Sequence, residues 1–244
     1  MIQIQDLIKA YNKEIVLNIP ELTIEKGEIF GLVGNNGAGK TTMFNIVLDL
    51  ITASKGQVIS KGINVRESED WKDFTGAFID ETFLIGYLTA EEYFNFIAGL
   101  RRLSKTETSD FLATYADFFN GEIMGKKKFI RDFSKGNQKK VGIVASLMGK
   151  PEIVVLDEPF ANLDPSSQYK LRKLIKDFAA QNGSTFLISD HTLENIADVS
   201  TRLIILEKGK IVRDVPKTET TLQEVEAFFK PVFEADIFSL DQIL

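Results

Sequence analysis

The residues with the clearest chemistry stand in the segment Gly34-Asn35-Asn36-Gly37-Ala38-Gly39-Lys40-Thr41-Thr42. The segment matches the pattern G-x-x-x-x-G-K-[ST], whose glycines permit a tight loop with backbone N–H groups turned inward around a polyphosphate. A helix that begins directly behind the loop adds the positive potential of its N-terminus. We therefore expect a nucleotide site in which Lys40 reaches the β- and γ-phosphates and Thr41 offers its hydroxyl to Mg²⁺.

Two adjacent carboxylates supply the second chemical element. Asp157 and Glu158 come directly after residues 153–156, an apolar run that predicts a buried strand. In an open parallel sheet, ligands bind at the carboxyl ends of the strands. We expect Asp157 to hold Mg²⁺, directly or through water, and Glu158 to orient and deprotonate an attacking water.

The composition excludes several other chemistries. The chain of 244 residues has no cysteine and one histidine, His191. Without thiols there is no disulfide, no thiolate nucleophile and no Cys-ligated metal, and one histidine cannot supply a multi-His metal site. The 29 basic and 35 acidic residues give a net charge of -6, the opposite balance from a protein that neutralises nucleic-acid phosphates. We expect no nucleic-acid partner.

Hydropathy predicts no membrane segment. The longest apolar stretches, such as residues 29–33 and 153–156, have the length of strands, whereas a spanning helix needs about 18 to 20 apolar residues. Residues 1–9 alternate apolar and polar side chains and lack the basic and apolar regions of a secretory signal. We therefore expect a cytoplasmic location.

An α/β layer must position the phosphate loop and the carboxylates. Short apolar runs between residues 2 and 24, broken at Asn18-Ile19-Pro20, predict antiparallel strands. Strands and helices then alternate as they do in a parallel sheet, and the alternation resumes at residue 153. The predicted strands of this layer are 28–33, 153–156, 185–189 and 203–206, and short strands are also predicted at 56–60 and 76–80. The predicted helices are 40–50, 166–180 and 193–199, and the first has Met43, Ile46, Val47 and Leu50 on one apolar face.

A helical insert interrupts this layer at about residues 81–150. Apolar and aromatic residues recur there at helical spacing, which indicates core packing rather than a cofactor site. They are Tyr93, Phe94, Phe96, Ile97, Leu100, Phe111, Leu112, Tyr115, Phe118 and Phe119. We expect one domain over 1–215, in which 1–80 and 151–215 form the layer. The tail, 216–244, is expected to carry one helix and an aromatic-rich end.

A second glycine-containing segment carries a family resemblance. Phe133-Ser134-Lys135-Gly136-Asn137-Gln138 stands just before a helical run and ahead of Asp157. It resembles the signature of ATP-binding cassette (ABC) proteins, usually written L-S-G-G-Q, and with the phosphate loop it makes the chain similar to the nucleotide-binding subunit of an ABC transporter. In that family the signature binds the γ-phosphate of ATP held by the opposite subunit. The resemblance assigns this role to Ser134, Lys135, Gly136 and Asn137.

Further family motifs occur in the expected order. Tyr11 occupies the position of the aromatic residue that stacks on adenine, and Asp80 that of a Gln that contacts Mg²⁺ and water. Asn162-Leu163-Asp164 matches the loop that contacts the other subunit. His191 matches the switch histidine that contacts the γ-phosphate.

Several residues depart from the family pattern. Asp80 can still bind Mg²⁺ or its coordinated water, but it cannot donate an amide hydrogen bond. In the signature, Phe133 replaces Leu, Lys135 replaces the first Gly and Asn137 replaces Gln, and Ala161 removes the usual hydroxyl before the intersubunit loop. Because the residues expected to bind phosphate and activate water are all retained, we expect hydrolysis to be preserved and these changes to affect rate and coupling.

The resemblance implies a fold and a function. The fold is the α/β, P-loop NTPase fold of ABC ATPases, with a mainly parallel core sheet, an antiparallel β subdomain and a helical insert. The function is hydrolysis of ATP, with Mg²⁺, in a head-to-tail homodimer or a heterodimer with a paralogous ATPase. The dimer would power a separate transmembrane permease from the inner face of the cell membrane. The form of the motifs resembles export systems, and a groove near residues 80–87 would take a helix of the permease.

Two alternatives remain open. One is a soluble ABC-type ATPase that acts in translation or DNA repair, although such proteins usually carry two cassettes in tandem or a long coiled-coil insert. The other is a P-loop kinase of small molecules, which would need no signature sequence. Dimerisation on ATP would separate the cassette from the kinase, because a simple kinase site is complete within one chain.

Overall fold

Two β-sheets form the frame of the protein, which a computed structural model describes over residues 1–218. The strands are β1 (Ile2–Tyr11), β2 (Glu14–Ile24), β3 (Ile29–Val33), β4 (Lys55–Ser60), β5 (Ile63–Asn64), β6 (Thr75–Phe78), β7 (Ile153–Asp157), β8 (Thr185–Asp190), β9 (Arg202–Glu207) and β10 (Lys210–Pro216). The helices are α1 (Lys40–Val47), α2 (Ala90–Leu100), α3 (Lys105–Thr114), α4 (Ala116–Phe119), α5 (Lys135–Ser146), α6 (Pro165–Asn182) and α7 (Leu193–Val199). Short 3₁₀ turns lie at Asp70–Phe74, Glu81–Phe83 and Ile130–Asp132.

The larger sheet is the parallel layer that the sequence predicts. Its strand order is β10-β9-β3-β8-β7-β6, and only β10 runs antiparallel to its neighbour. The smaller sheet, with the order β2-β1-β4-β5, is antiparallel. Because β3, β8 and β7 are neighbours, the loops that follow their carboxyl ends meet at one edge of the sheet.

Strand β7 separates two apolar cores. Val154 and Leu156 face a core shared with the insert and with α6 and α7. Ile153 and Val155 face the core that lies under α1 and the antiparallel sheet. Successive side chains of a strand point to opposite faces, so a strand covered on both sides consists of apolar residues throughout. This accounts for the apolar run before Asp157.

Polar caps define the helices of the insert. Helix α2 begins at a capping box between Thr89 and Glu92, and α3 at a second one between Ser104 and Glu107. In each box the Ser or Thr hydroxyl accepts a backbone N–H and the Glu carboxylate accepts one in return, which stabilises the first turn. Helix α5 begins at Ser134, whose hydroxyl accepts the Asn137 N–H at 3.2 Å.

The predicted break at Asn18-Ile19-Pro20 is wrong, since β2 runs through it. Proline lacks an N–H, and strands tolerate it at a sheet edge or a bulge. β2 is an edge strand, and its register with β1 is the same on both sides of Pro20, with Gln5 opposite Glu21 and Leu7 opposite Ile19. The ladder therefore continues past the proline, which needs no second partner strand at an edge.

Three residues that we expect in apolar faces are exposed. Helix α1 ends at Val47, so Leu50 lies beyond it and is 48% exposed. In α2, Phe96 and Leu100 are 47% and 65% exposed, whereas Tyr93 and Phe94 are buried. The prediction of a core stripe holds for one face of α2 only. The predicted tail helix and aromatic end beyond residue 218 lie outside the described residues.

Within residues 1–218, no helix combines the length and apolar character needed to cross a membrane.

Candidate functional site

The phosphate loop connects β3 to α1. Asn35, Asn36 and Gly37 are exposed at its mouth, whereas Ala38 is buried and its N–H donates to the Asn35 carbonyl at 3.0 Å. Gly39 precedes α1 with φ 108°, a conformation that residues with a Cβ rarely adopt. The loop therefore presents the N-terminus of α1 to the surface, which is the arrangement that binds phosphate.

Lys40 is held inside the loop. Its side chain is 5% exposed, and Nζ donates to the Gly34 carbonyl at 2.6 Å and to the Asn35 carbonyl at 3.3 Å. The same nitrogen lies 3.7 Å from Glu158 Oε1. The ammonium is thus pre-positioned between the loop and the carboxylate. Thr42, in the first turn of α1, is half-buried.

Thr41 and Asp157 meet across the sheet. Thr41 Oγ1 donates to Asp157 Oδ2 at 2.5 Å, and the Ser189 hydroxyl donates to Asp157 Oδ1. Burial raises the pKa of the Asp157 carboxyl, although the two hydroxyl hydrogen bonds act in the opposite direction. A buried carboxylate beside a hydroxyl is a suitable donor set for Mg²⁺, whose charge would favour the ionised form.

Glu158 has an uncommon backbone conformation. Its φ is 45°, in the left-handed region, which non-glycine residues enter at an energetic cost and mostly where the surroundings hold them. Its N–H donates to both the carbonyl and the hydroxyl of Ser189, each at 3.1 Å. These contacts leave the carboxylate one-third exposed at the same edge as Lys40.

His191 completes the cluster from the end of β8. Its Nδ1 lies 3.7 Å from Glu158 Oε1 and 3.6 Å from Asp190 Oδ1, and the side chain is 50% exposed. Burial raises the pKa of Asp190, although a hydrogen bond from the Thr192 N–H opposes this effect. The imidazole therefore stands at the mouth of the site, next to the carboxylate expected to activate water.

Asp80 follows strand β6, and β6 is the neighbour of β7 in the sheet. Its Oδ1 accepts the Thr82 N–H at 2.6 Å, and this hydrogen bond lowers the pKa of the carboxyl. Asp80 is exposed and caps the 3₁₀ turn that follows. Within the described residues, no hydrogen bond or ion pair joins it to Thr41 or Asp157. Its role toward Mg²⁺ stays a prediction.

The signature segment contacts the predicted intersubunit loop instead of the phosphate loop. A Cβ added to Gly136 would lie 2.7 Å from the Asn162 carbonyl oxygen, so these two backbones touch. Ser134, Lys135 and Asn162 are exposed. In the part of the chain that the structure describes, no hydrogen bond or ion pair links residues 134–137 to the phosphate loop.

The residues of the predicted intersubunit loop differ in exposure. Asn162 has φ 62° and is exposed, as is Asp164, which caps α6 by accepting the Ser167 N–H at 3.0 Å. Leu163 is buried in the core shared with the insert. The side chains of Asn162 and Asp164 are therefore the two that a second chain could contact.

Tyr11 lies at the turn between β1 and β2, 48% exposed, with Lys9 Nζ 4.6 Å from its ring centroid. Strand β2 then passes the phosphate loop, where the Val16 carbonyl oxygen would lie 3.0 Å from a Cβ at Gly39. The hairpin thus flanks the loop, and the stacking role of Tyr11 stays a prediction.

Sequence reasoning missed two residues that hold this cluster together. Ser189 bonds to both carboxylate-bearing residues, Asp157 and Glu158. Lys139 of α5 is 5% exposed, and its Nζ donates to the Glu158 carbonyl at 2.7 Å. Lys139 stands in the polar run Gln138-Lys139-Lys140, so no local pattern singles it out, and its partner depends on tertiary packing.

The geometry defines a class of site, namely a phosphate loop with an adjacent hydroxyl, carboxylate pair and histidine. This is the arrangement of a P-loop nucleotide-binding protein. The ABC transporter family model matches residues 17–161.

Relatives with curated names point to the same family. A bacitracin transport ATP-binding protein of Enterococcus faecalis is 32% identical over 90% of this chain and 70% of its own length. A lantibiotic transport ATP-binding protein of Streptococcus pyogenes is 30% identical over 87% of this chain and 89% of its own length. An uncharacterized ABC transporter ATP-binding protein of Synechocystis is 34% identical over 78% of this chain, which spans 54% of that relative.

Solved structures share the fold. An ATP-binding subunit of an ABC transporter superposes with a TM-score of 0.79 at 26% identity, covering 88% of this chain and 90% of that one. A bacterial ABC transporter cassette solved as a dimer gives 0.79 at 25% identity, with 89% and 99% covered. The chain therefore belongs to the ABC transporter family, as an ATP-binding protein with the ABC ATPase fold. The family and the fold expected from the sequence are confirmed.

Proposed function

We propose that the chain hydrolyses ATP, with Mg²⁺, and that this reaction drives a separate transmembrane permease. One observation carries the proposal. Residues from three separate segments converge at the carboxyl ends of three neighbouring strands. They are Lys40 and Thr41, Asp157 and Glu158, and His191. This convergence provides a cation for phosphate, oxygen donors for a metal and a base for water.

Each residue has a step in the proposed reaction. The loop from Gly34 to Thr42 binds the triphosphate through backbone N–H groups, and Lys40 leaves its loop carbonyls for the β- and γ-phosphates. Thr41 and Asp157 would hold Mg²⁺, which would neutralise phosphate charge when bound. Glu158 orients the attacking water and takes its proton, and His191 contacts the γ-phosphate. Asp80 adds a further ligand to Mg²⁺ or to its water.

A second chain completes the proposed site. Among residues 1–218 of one chain the signature segment does not bond to the phosphate loop, and its Ser134 hydroxyl and helix N-terminus face outward. We propose that two chains close head to tail, so that Ser134 to Asn137 of one bind the γ-phosphate held by the other. Asn162 and Asp164 would form the rest of the contact. The dimeric cassette among the solved structures supports this arrangement.

The proposed permease contact is a groove of about 530 Å³ between α2 and the core. Its lining includes apolar side chains that are exposed without a partner, with Leu50 48%, Phe83 58% and Leu100 65% exposed. An apolar groove of this kind fits the apolar face of an amphipathic helix. The exposure of Leu50 and Leu100, unexpected for core positions, is what a docking site requires. This contact would hold the chain at the inner face of the membrane.

Export is the proposed direction of transport. The bacitracin and lantibiotic transport proteins among the relatives support it, and the substrate itself would be chosen by the permease. A soluble ABC-type ATPase of translation or DNA repair is the alternative.

The decisive experiment combines turnover with dimerisation. The purified chain should release phosphate from Mg·ATP and should form a dimer when ATP is present and hydrolysis is blocked. A chain that hydrolyses ATP as a strict monomer would contradict the shared site and favour a kinase-like enzyme.

The groove has its own test, because a chain without cysteine can carry one reactive thiol. Phe83→Cys should be protected from a maleimide in the complex with the permease, whereas Tyr169→Cys, exposed on α6, should label equally with and without it. Equal labelling of both would contradict the proposed contact.

A further inference from the structure

Lys139 connects three parts of the site. It lies in α5, directly after the signature segment, and is 5% exposed. Its Nζ donates to the Glu158 carbonyl at 2.7 Å and lies 3.5 Å from Glu81 Oε1. Glu81 follows Asp80 directly. One buried ammonium therefore bridges the signature helix, the segment after β6 and the segment after β7.

The Glu158 backbone needs such support. Its φ of 45° is in a region that costs free energy for a residue with a side chain. Two bonds to Ser189 hold its N–H, while its carbonyl accepts the Ala161 N–H at 3.3 Å and the shorter bond from Lys139. Removal of the lysine would leave the carbonyl with the longer bond alone.

The ion pair with Glu81 keeps Lys139 in place. The side chains of Lys139 and Glu81 are 6% and 12% exposed, and Glu81 Oε1 has no hydrogen-bond partner among residues 1–218. Removing one member of a buried pair leaves the other charge uncompensated, which is strongly destabilising. The pair therefore binds α5 to the segment that carries Asp80.

We propose that Lys139 is a positioning residue that holds the backbone of Glu158, and so its carboxylate, in register with the signature helix. The proposal rests on the function proposed above. It would let a movement of the signature helix change the position of the water-activating group. Small displacements of a catalytic group have large effects, since an error of about 1 Å can cost about 100-fold in rate.

Three variants test the proposal. Lys139→Met removes the ammonium and keeps the length, and kcat for ATP should fall about 10- to 100-fold while KM changes less than about twofold. Glu81→Gln keeps the bond to the Glu158 carbonyl, so its kcat should fall less. The double variant Lys139→Met/Glu81→Gln removes both charges, so its thermal stability should recover while its kcat stays low.

The matched control is a lysine with similar contacts outside the site. Lys61 Nζ donates to Glu152 Oε1 at 2.5 Å and lies 4.4 Å from the Phe74 ring centroid. Lys61→Met should leave kcat unchanged. The double variant contains no uncompensated charge. Its kcat therefore tests the positioning role even if Lys139→Met alone does not fold.

The outcomes separate the two proposals. A double variant that regains kcat together with stability would overturn the positioning role, because Lys139 would then act only through charge burial. Wild-type kcat in Lys139→Met would also overturn it and leave the proposed function intact. A wild-type chain without Mg·ATP hydrolysis would overturn both.

Discussion

The contact between Gly136 and the Asn162 carbonyl predicts that a single methyl group disturbs the dimer surface. In Gly136→Ala the new Cβ would lie 2.7 Å from that oxygen, whereas ordinary contacts begin at 3.4 Å. One of the two backbones must therefore move by about 0.7 Å. Overpacking of this kind costs about 1–3 kcal/mol, and each kcal/mol lowers the Tm of a domain of this size by about 2–4 °C.

The functional consequence follows from where the two backbones stand. Residues 134–137 and Asn162 are both expected at the interface with the second chain, so their displacement should weaken ATP-dependent dimerisation and slow turnover together. Thermal unfolding measures the loss of stability, light scattering with Mg·ATP measures dimerisation, and phosphate release measures turnover.

Gly99→Ala is the matched control for this prediction. Gly99 lies in α2, has no atom within 4 Å of an added Cβ and has an ordinary φ. Alanine there should raise stability by up to about 1 kcal/mol and leave turnover unchanged. A Gly136→Ala protein with wild-type Tm, dimerisation and kcat would contradict the close contact between Gly136 and the Asn162 carbonyl.

Three further predictions concern nucleotide binding, the metal and packing. Lys40→Met should weaken Mg·ATP binding about 10- to 150-fold by calorimetry, because a hydrogen bond to a charged group contributes about 1.5–3 kcal/mol; unchanged affinity would exclude Lys40 from the phosphates. EDTA should stop turnover and added Mg²⁺ should restore it, and turnover that persists in the chelator would contradict the metal site at Asp157. Gly142→Ala would place a Cβ 2.1 Å from the Phe78 ring, so its denaturation midpoint should fall by the equivalent of about 1–3 kcal/mol. An unchanged midpoint would contradict the packing of α5 on β6.

The local motifs predicted most of the fold. The apolar run before Asp157, the glycine loop before Lys40 and the return of α/β alternation at residue 153 each depend on a few neighbouring residues, so they can be recognised without the tertiary structure. The parallel sheet, the antiparallel sheet and the helical insert were predicted on this basis. The expected family is also confirmed.

Long-range packing explains what the sequence could not predict. Pro20 stays in a strand because β2 is at an edge, which no local pattern states. Leu50 and Leu100 look like core residues in the sequence because they are apolar and lie at helical spacing. Their exposure depends on a groove between separate segments, which the sequence does not show. The bond from Lys139 to Glu158 joins two segments whose approach is visible only in the folded chain. The roles assigned to Tyr11 and to the other site residues stay predictions.

The proposed reaction depends on Glu158 as the base that activates water in a site shared by two chains. Glu158→Gln keeps the size of the side chain and removes the base, so phosphate release should fall about 100- to 10,000-fold. The same protein should still bind Mg·ATP and accumulate as a dimer with two trapped nucleotides, measured by light scattering and nucleotide analysis. Wild-type turnover would contradict the role of Glu158 as the base. A variant that stays monomeric with ATP bound would contradict the site shared by two chains.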